Sequence, residues 1–208
     1  MPLKKKLKNG NMPLFTSKEI KTKTTDPGSS KAATFSIHGK ACGAIINKKA
    51  DLKAAFLAME EDESVFYFTD GAWSNHDLIV HLLEQSGPAA VYLSTWSIGE
   101  ESLRQLHHLI SSGIIVQLHC LFDQRISQQK AKELQLAKGT ANSVVFKKNH
   151  SKTVAIKGPE KSFVIYTSAN LTHNPRMEAG VVHCGRSVAD FTIEFLTREI
   201  NGQTRAAE

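Results

Sequence analysis

From residue 64 to residue 147, near-continuous apolar runs alternate with amphipathic segments, and this alternation restricts the fold more than any other feature. Runs at 64–69, 89–95, 114–122 and 142–147 read as strands. Segments at 47–61, 75–84, 100–111 and 126–138 read as helices, the first with Leu52, Ala55, Phe56 and Met59 on one face and the second with Leu78, Ile79, Leu82 and Leu83. Asn75 is placed to cap the second helix, and a last helix is predicted over 188–198. Strands apolar on both faces need cover on both sides, so the pattern predicts an α/β fold: a mixed, largely parallel sheet flanked by helices on both faces. Residues 34–37 alternate as an opening strand would, and His38, Gly39, Cys42 and Gly43 read as a turn after it.

The chemistry concentrates between His150 and Glu178. His150-Ser151-Lys152 precedes the apolar run Thr153-Val154-Ala155-Ile156; a turn at Lys157-Gly158-Pro159-Glu160 leads to Phe163-Val164-Ile165-Tyr166, then Thr167-Ser168-Ala169-Asn170, and Glu178 opens a further apolar run. Two β-prone runs around a Gly-Pro turn predict a hairpin. Residues two apart on a strand share a face, so His150 would project with Lys152, and Ser168 with Asn170. Such a set suits a phosphodiester. Lys152 balances the charge on the non-bridging oxygens, and Ser168 and Asn170 donate hydrogen bonds to them. His150 can attack phosphorus or carry a proton near neutral pH, and Glu178 can accept from its second ring nitrogen.

The same stretch resembles the signature of the phospholipase D superfamily, His-x-Lys-x4-Asp followed by Gly-Ser-x-Asn and a later Glu. His150, Lys152, Ser168, Asn170 and Glu178 match it, whereas the family Asp falls on Lys157, the Gly falls on Thr167, and the segment between the two blocks is longer. The resemblance covers roughly residues 65–200 and implies one catalytic half-domain of that family, without cofactor or metal. It further implies that two chains pair about a two-fold axis to complete one site, with one His150 forming a phosphohistidine and the other serving the leaving oxygen. Single-motif members of the family are commonly nucleases.

Charge supports a polyanionic partner. The chain of 208 residues carries a net charge of +6. All of it resides in residues 1–31, where eight lysines face only Glu19 and Asp26; the rest of the chain is neutral. Residues 1–33 are expected to form a basic, disordered tail and residues 34–208 a single domain. Lys4, Lys5, Lys6 and Lys8 are its candidate nucleic-acid contacts, against the plainer reading of a solvated arm. Positive charge at the N-terminus has no apolar stretch behind it, and no run is long enough to span a bilayer, so neither a signal peptide nor an integral membrane segment is expected. Three dispersed cysteines, Cys42, Cys120 and Cys184, lack zinc or disulfide spacing and point to a reducing cytoplasm.

In open α/β sheets ligands gather at the carboxyl ends of strands, where Asp70, Trp73, Ser94, Trp96 and Asp123 are expected. Trp73 and Trp96 are each candidates for stacking on a base or sugar and for packing under a helix; Trp96 is taken as the substrate contact. His119 reads as a core histidine. The expected activity is therefore that of a cytoplasmic, homodimeric, metal-independent phosphodiesterase, a nuclease acting on DNA or RNA. The alternatives are a catalytically weak or inactive nucleic-acid-binding module of the same fold, suggested by Lys157 and Thr167, and a phospholipid hydrolase or transferase.

Overall fold

The computed structural model describes residues 39–173 and 175–202. The lysine tail, with Lys4, Lys5, Lys6 and Lys8, the strand expected at 34–37, and His38 lie outside the described residues.

The elements run β1 (Ala41–Ile45), α1 (Lys49–Ala55), β2 (Glu63–Thr69), α2 (Asn75–Ser86), β3 (Ala89–Thr95), α3 (Glu100–Ser111), β4 (Ile115–Asp123), α4 (Gln124–Gln129), α5 (Ala131–Thr140), β5 (Ser143–Lys147), β6 (Thr153–Lys157), β7 (Ser162–Thr167), β8 (Glu178–Cys184) and α6 (Arg186–Ile200). They build one mixed eight-stranded sheet in the order β1-β2-β8-β7-β6-β3-β4-β5. The β1–β2, β3–β4 and β4–β5 pairs are parallel, while β8 lies antiparallel between β2 and β7, and β6 antiparallel between β7 and β3. Only β6 and β8 therefore run against the common direction. Their first residues come level with the last residues of their neighbours: Ser94 pairs with Thr153, Thr153 with Tyr166, and Thr69 with Glu178. One edge of the sheet thus collects His150 and Lys152 before β6, Ser168 and Asn170 after β7, and Glu178 at the start of β8.

The strand period divides the core. Val154, Ile156, Phe163, Ile165, Leu93 and Val182 face one side and pack with Leu52 of α1, Leu78 and Leu82 of α2, Leu103 of α3 and Ile126 of α4. On the other side Ala155 and Val164 pack against Val188 and Ala189 of α6, with Tyr92 and Ile193. That helix is also anchored by Tyr166 Oη and Thr192 Oγ1, 2.7 Å apart. Its cover does not reach β2, where Phe66 and Phe68 remain 54% and 56% exposed. Both-face helices agree with the sequence pattern, as does the β6–β7 hairpin.

Several expected boundaries move. The first helix is only Lys49–Ala55, because Ala58 and Asp62 adopt positive φ (52° and 60°) in the turns that follow. Cys42 and Gly43 belong to β1 and pair with Val65 and Phe66, so the expected turn at this place is a strand; the parallel ladder with β2 outweighs the turn tendency of the glycines. The helix expected over 126–138 is two. Asp123 caps α4 by accepting the Arg125 N–H, and the chain breaks at Lys130 (φ −129°, ψ 66°) before α5 starts. Lys130 Nζ donates to the Ile98 carbonyl at 2.8 Å and to Ser97 Oγ at 3.3 Å, bonds that tie the break to the loop after β3.

Gly180 of β8 marks a close approach near the site edge. A Cβ there would lie 2.6 Å from the Tyr67 ring, whose hydroxyl donates to Thr167 Oγ1 at 3.0 Å. Gly180→Ala is accordingly expected to lower unfolding free energy by about 1–3 kcal/mol through overpacking, read from urea denaturation midpoints at unchanged m-value.

Candidate active site

His150 and Lys152 stand in the irregular stretch between β5 and β6, and Asn149 holds that stretch in place. Asn149 Nδ2 donates to Ser94 Oγ (3.0 Å) and to the Leu121 carbonyl (3.1 Å), and its Oδ1 accepts from Ser151 N (3.0 Å) and Ser151 Oγ (2.8 Å). Asp123, 2% exposed at the end of β4, accepts from Asn149 N at 3.1 Å, from Arg125 N at 3.0 Å and from Arg125 Nε at 3.1 Å. Burial alone would raise the Asp123 pKa, but the two backbone N–H groups and the guanidinium together hold it below its ordinary value. The carboxylate thereby joins the residue before His150 to α4. Nothing in the spacing of the chain singles out Asn149. Its neighbour in the motif draws attention, but its own role appears only when β3 and β4 end beside it.

The second block is clamped from several sides. Thr167 Oγ1 accepts from Ala169 N at 3.1 Å and donates to the Ala179 carbonyl at 3.2 Å. Asn75, first residue of α2, donates through Nδ2 to the Ala169 carbonyl at 2.9 Å. Leu171 N donates to the Ser97 carbonyl, and the Leu171 carbonyl accepts from Gly99 N (2.8 Å) and Ser102 Oγ (2.9 Å). Ser168 Oγ donates to Glu178 Oε2 and accepts from Ala179 N (3.0 Å). Asn170 Oδ1 is buried beside a small enclosed cavity that Asn75 also lines.

His150, Lys152, Ser168, Asn170 and Glu178 line one open groove of about 600 Å³, and Trp96 and Arg176 line it with them. The Trp96 ring centroid is 5.7 Å from that of His150, and Lys152 Nζ is 6.0 Å from it. Lys152 Nζ donates to the His150 carbonyl at 2.9 Å; burial lowers its pKa, and the Glu178 carboxylate opposes that shift without cancelling it. Arg176 adds a second cation beside Lys152. It reaches the groove because Gly71, at φ +88°, lets the turn after β2 close on the Arg176 backbone, which a Cβ would meet at 2.5 Å. Arg176 was not among the expected site residues. It lies outside any spaced motif, and only the turn that receives it could have pointed to it.

One expectation is revised by this geometry, and the places of Trp73, Lys157 and Thr167 become visible. Glu178 bonds Ser168 instead of the His150 imidazole, which has no hydrogen bond among the described residues. Register explains this: Glu178 opens β8, with β7 and its Ser168 between it and β6. Trp73 is a core residue, 6% exposed, donating from Nε1 to the Ile46 carbonyl at 2.9 Å and packed on Tyr67. Lys157 and Thr167, the two departures from the motif, are both accommodated. Lys157 lies at the opposite edge of the sheet from Thr153, roughly 13 Å along the strand, and pairs with Asp190 of α6 at 2.6 Å. Thr167 keeps a negative φ, so no glycine is required there. As expected, His119 is internally satisfied, stacked on Tyr92 with Nδ1 2.8 Å from Ser143 Oγ.

Comparison with known proteins shows the fold. No protein-family model and no curated protein sequence matches the chain. Among solved structures it is similar to polyphosphate kinase from Porphyromonas gingivalis (TM-score 0.50, 14% identity), over 70% of this chain and 27% of that one. It also matches TrmBL2, an archaeal chromatin protein (TM-score 0.45, 13% identity, 72% and 57% of the two chains). A third match is phosphatidylserine synthase of Haemophilus influenzae (TM-score 0.42, 12% identity, 66% and 38%). The chain thus spans about a quarter of the polyphosphate kinase.

Two titrations follow from the electrostatics. The folded state lowers the Asp123 pKa, so its stabilisation is fully present above the unfolded-state value and is lost as pH falls through the folded one. Asp123→Asn should lower stability at neutral pH and flatten its decline in acid, measured as denaturation midpoint against pH. For Lys152 the folded pKa is depressed, so its ammonium should titrate below 10.5, observable by NMR of the Nζ group.

Proposed function

We propose that this chain is a phosphodiesterase of the phospholipase D type that cleaves nucleic acid in a site completed by a second copy. The convergence of His150, Lys152, Ser168, Asn170, Glu178 and Arg176 on one groove carries the reading. Lys152 and Arg176 set two cations against the single carboxylate of Glu178, a balance suited to a phosphodiester anion. Asn170, with its Oδ1 turned into the buried cavity, has its Nδ2 available to donate to a phosphoryl oxygen.

In the first step a neutral His150 nitrogen attacks phosphorus in line with the leaving oxygen. The nitrogen–phosphorus bond forms, the phosphorus–oxygen bond breaks, and the leaving oxygen takes a proton. In the second step water attacks the phosphohistidine, gives up its proton, and restores the imidazole. Both steps need a proton carrier opposite the nucleophile. His150 has no such partner among the described residues, which is the argument for a second His150 from another copy about a two-fold axis. With one imidazole as the nucleophile, the other is left to carry the proton. Lys152, Arg176 and Asn170 supply the charge stabilisation that a metal ion would bring to such a reaction. Lys4, Lys5, Lys6 and Lys8 add non-specific attraction to the phosphate backbone.

A second reading, a nucleic-acid-binding module without turnover, is favoured by the lack of an orienting hydrogen bond to His150. The experiment separating them is turnover of a phosphodiester reporter with EDTA present. Cleavage is expected to persist in EDTA and to be lost in His150→Ala by at least about a thousandfold. Heterodimers of that variant with wild type should be nearly inactive, and an acid-labile phosphoryl adduct should be trapped on His150 by rapid quench. Wild-type rates from His150→Ala would refute the reading. Deleting residues 1–31 should leave turnover of a small reporter intact while reducing the salt dependence of nucleic-acid binding; an unchanged slope would mean that the tail makes no phosphate contact.

A further inference from the structure

We propose that a second pocket, which shares Trp96 with the catalytic groove, receives the phosphate adjacent to the one being cleaved. The substrate is then a strand of successive phosphodiesters, distinguished from a lone diester or a phospholipid. This inference rests on the phosphodiesterase reading above and narrows its substrate.

Trp96 is the shared wall. It lines the catalytic groove and also a separate pocket of about 150 Å³ formed with Ser97, Arg125, Ile126, Gln129 and Lys130. Arg125 and Lys130 put two cations on that lining, and no acidic residue shares it. Both cations are held in place. The Arg125 guanidinium lies 4.7 Å from the Trp96 ring centroid, and its Nε donates to the buried Asp123 at 3.1 Å. Its two Nη groups have no hydrogen-bond partner among the described residues. A stacked guanidinium keeps its in-plane N–H groups available, and a paired set matches the oxygens of a phosphate. Lys130 stands at the break between α4 and α5, its ammonium donating to the Ile98 carbonyl and Ser97 Oγ and lying 4.0 Å from Glu133 Oε1, which holds the cation at the pocket. A pre-positioned pair of cations costs less ordering on binding than solvated side chains do.

Both positions adjoin one side chain. The Trp96 ring centroid is 5.7 Å from that of His150 and 4.7 Å from Arg125 Cζ, so the two sites are neighbours. The two positions are also mechanically joined, because Asp123 binds both Arg125 and the backbone N–H of Asn149, the residue before His150. Between them, the Trp96 edge offers an aromatic surface that accepts any base, in keeping with a sequence-tolerant enzyme. At about 150 Å³ the pocket is too small to house an acyl chain, which argues against a lipid.

The test uses the full-length protein and two reporters: thymidine 5′-(p-nitrophenyl phosphate), with one diester, and the same compound carrying an added 3′-phosphate. In parallel, thymidine 5′-monophosphate and thymidine 3′,5′-bisphosphate are titrated by calorimetry. Wild type is expected to favour the added phosphate by about tenfold in kcat/KM and in affinity, as one charge-assisted bidentate contact gives. Arg125→Gln and Lys130→Gln should each remove most of that preference, with a smaller loss on the compounds that lack the added phosphate, and thermal unfolding should confirm that both variants are folded. An unaltered preference in Arg125→Gln, in Lys130→Gln and in the double variant would overturn the pocket assignment, as would a wild type indifferent to the added phosphate. If no reporter is turned over by wild type, the catalytic reading fails by itself, and the calorimetric preference still decides the pocket.

Discussion

The antiparallel insertion of β6 between β7 and β3 is the constraint from which the site follows. A parallel β6 would carry its first residue to the opposite edge of the sheet, away from the ends of β3, β4 and β7. Because β6 and β8 run against the other strands, their first residues meet the last residues of their neighbours, and His150, Lys152, Ser168, Asn170 and Glu178 reach one groove without a long loop. Backbone ladders on both sides of β6 hold this arrangement, and its middle is buried through Val154 and Ile156 on one face and Ala155 on the other. The tight packing of that strand makes the position of His150 a property of the core, even though the histidine itself stands in an irregular stretch.

Around that edge, polar side chains do what strand pairing cannot. Asn149 spans the ends of β3 and β4, Asp123 connects Asn149 to Arg125, and Asn75 holds the Ala169 carbonyl. Asp123 and Asn75 are buried and Asn149 half-buried; for the buried pair a lost partner leaves a polar group unsatisfied at a cost of about 1–3 kcal/mol. The groove is thus lined by residues that face solvent but is shaped by residues that do not. Lys157 illustrates the converse. It occupies a motif position yet lies at the far edge of the sheet, paired with Asp190, so its charge acts on the docking of α6 and not on the groove.

The single chain also presents an unequal distribution of partners. Lys152, Ser168, Asn170 and Glu178 are each engaged by neighbours or buried in part, while the His150 ring lies near Trp96 and has no hydrogen bond among the described residues. On the proposed reading the nucleophile needs a proton carrier opposite it, and that need, unmet among the described residues, is why the proposal brings in a second copy.

The amino-acid sequence alone determined the α/β class, because apolar strand runs alternating with amphipathic helices leave few other ways to bury both faces of a sheet. It also determined which side chains gather: the hairpin around Gly158-Pro159 and the residues flanking it are local, and local spacing is legible in one dimension. It did not reveal the parts played by Arg176, Asn149 or Arg125, because each is set by a contact with a segment distant in the chain: Gly71 for Arg176, the ends of β3 and β4 for Asn149, and Trp96 for Arg125. The sequence reading took Trp96 as the substrate contact, but only the tertiary structure shows what places Trp73 in the core, its packing on Tyr67 and its bond to the Ile46 carbonyl, while Trp96 lines the groove. The helix expected over 126–138 breaks for a comparable reason: bonds from Lys130 to the loop after β3 fix a backbone that helical periodicity does not anticipate. Strand direction is the last such decision. The hairpin sets β6 against β7, but nothing in its pattern tells which way it runs beside β3 or where β8 inserts, and the ladders with β3 and β2 select the arrangement that brings the histidine, lysine, asparagine and glutamate to one edge.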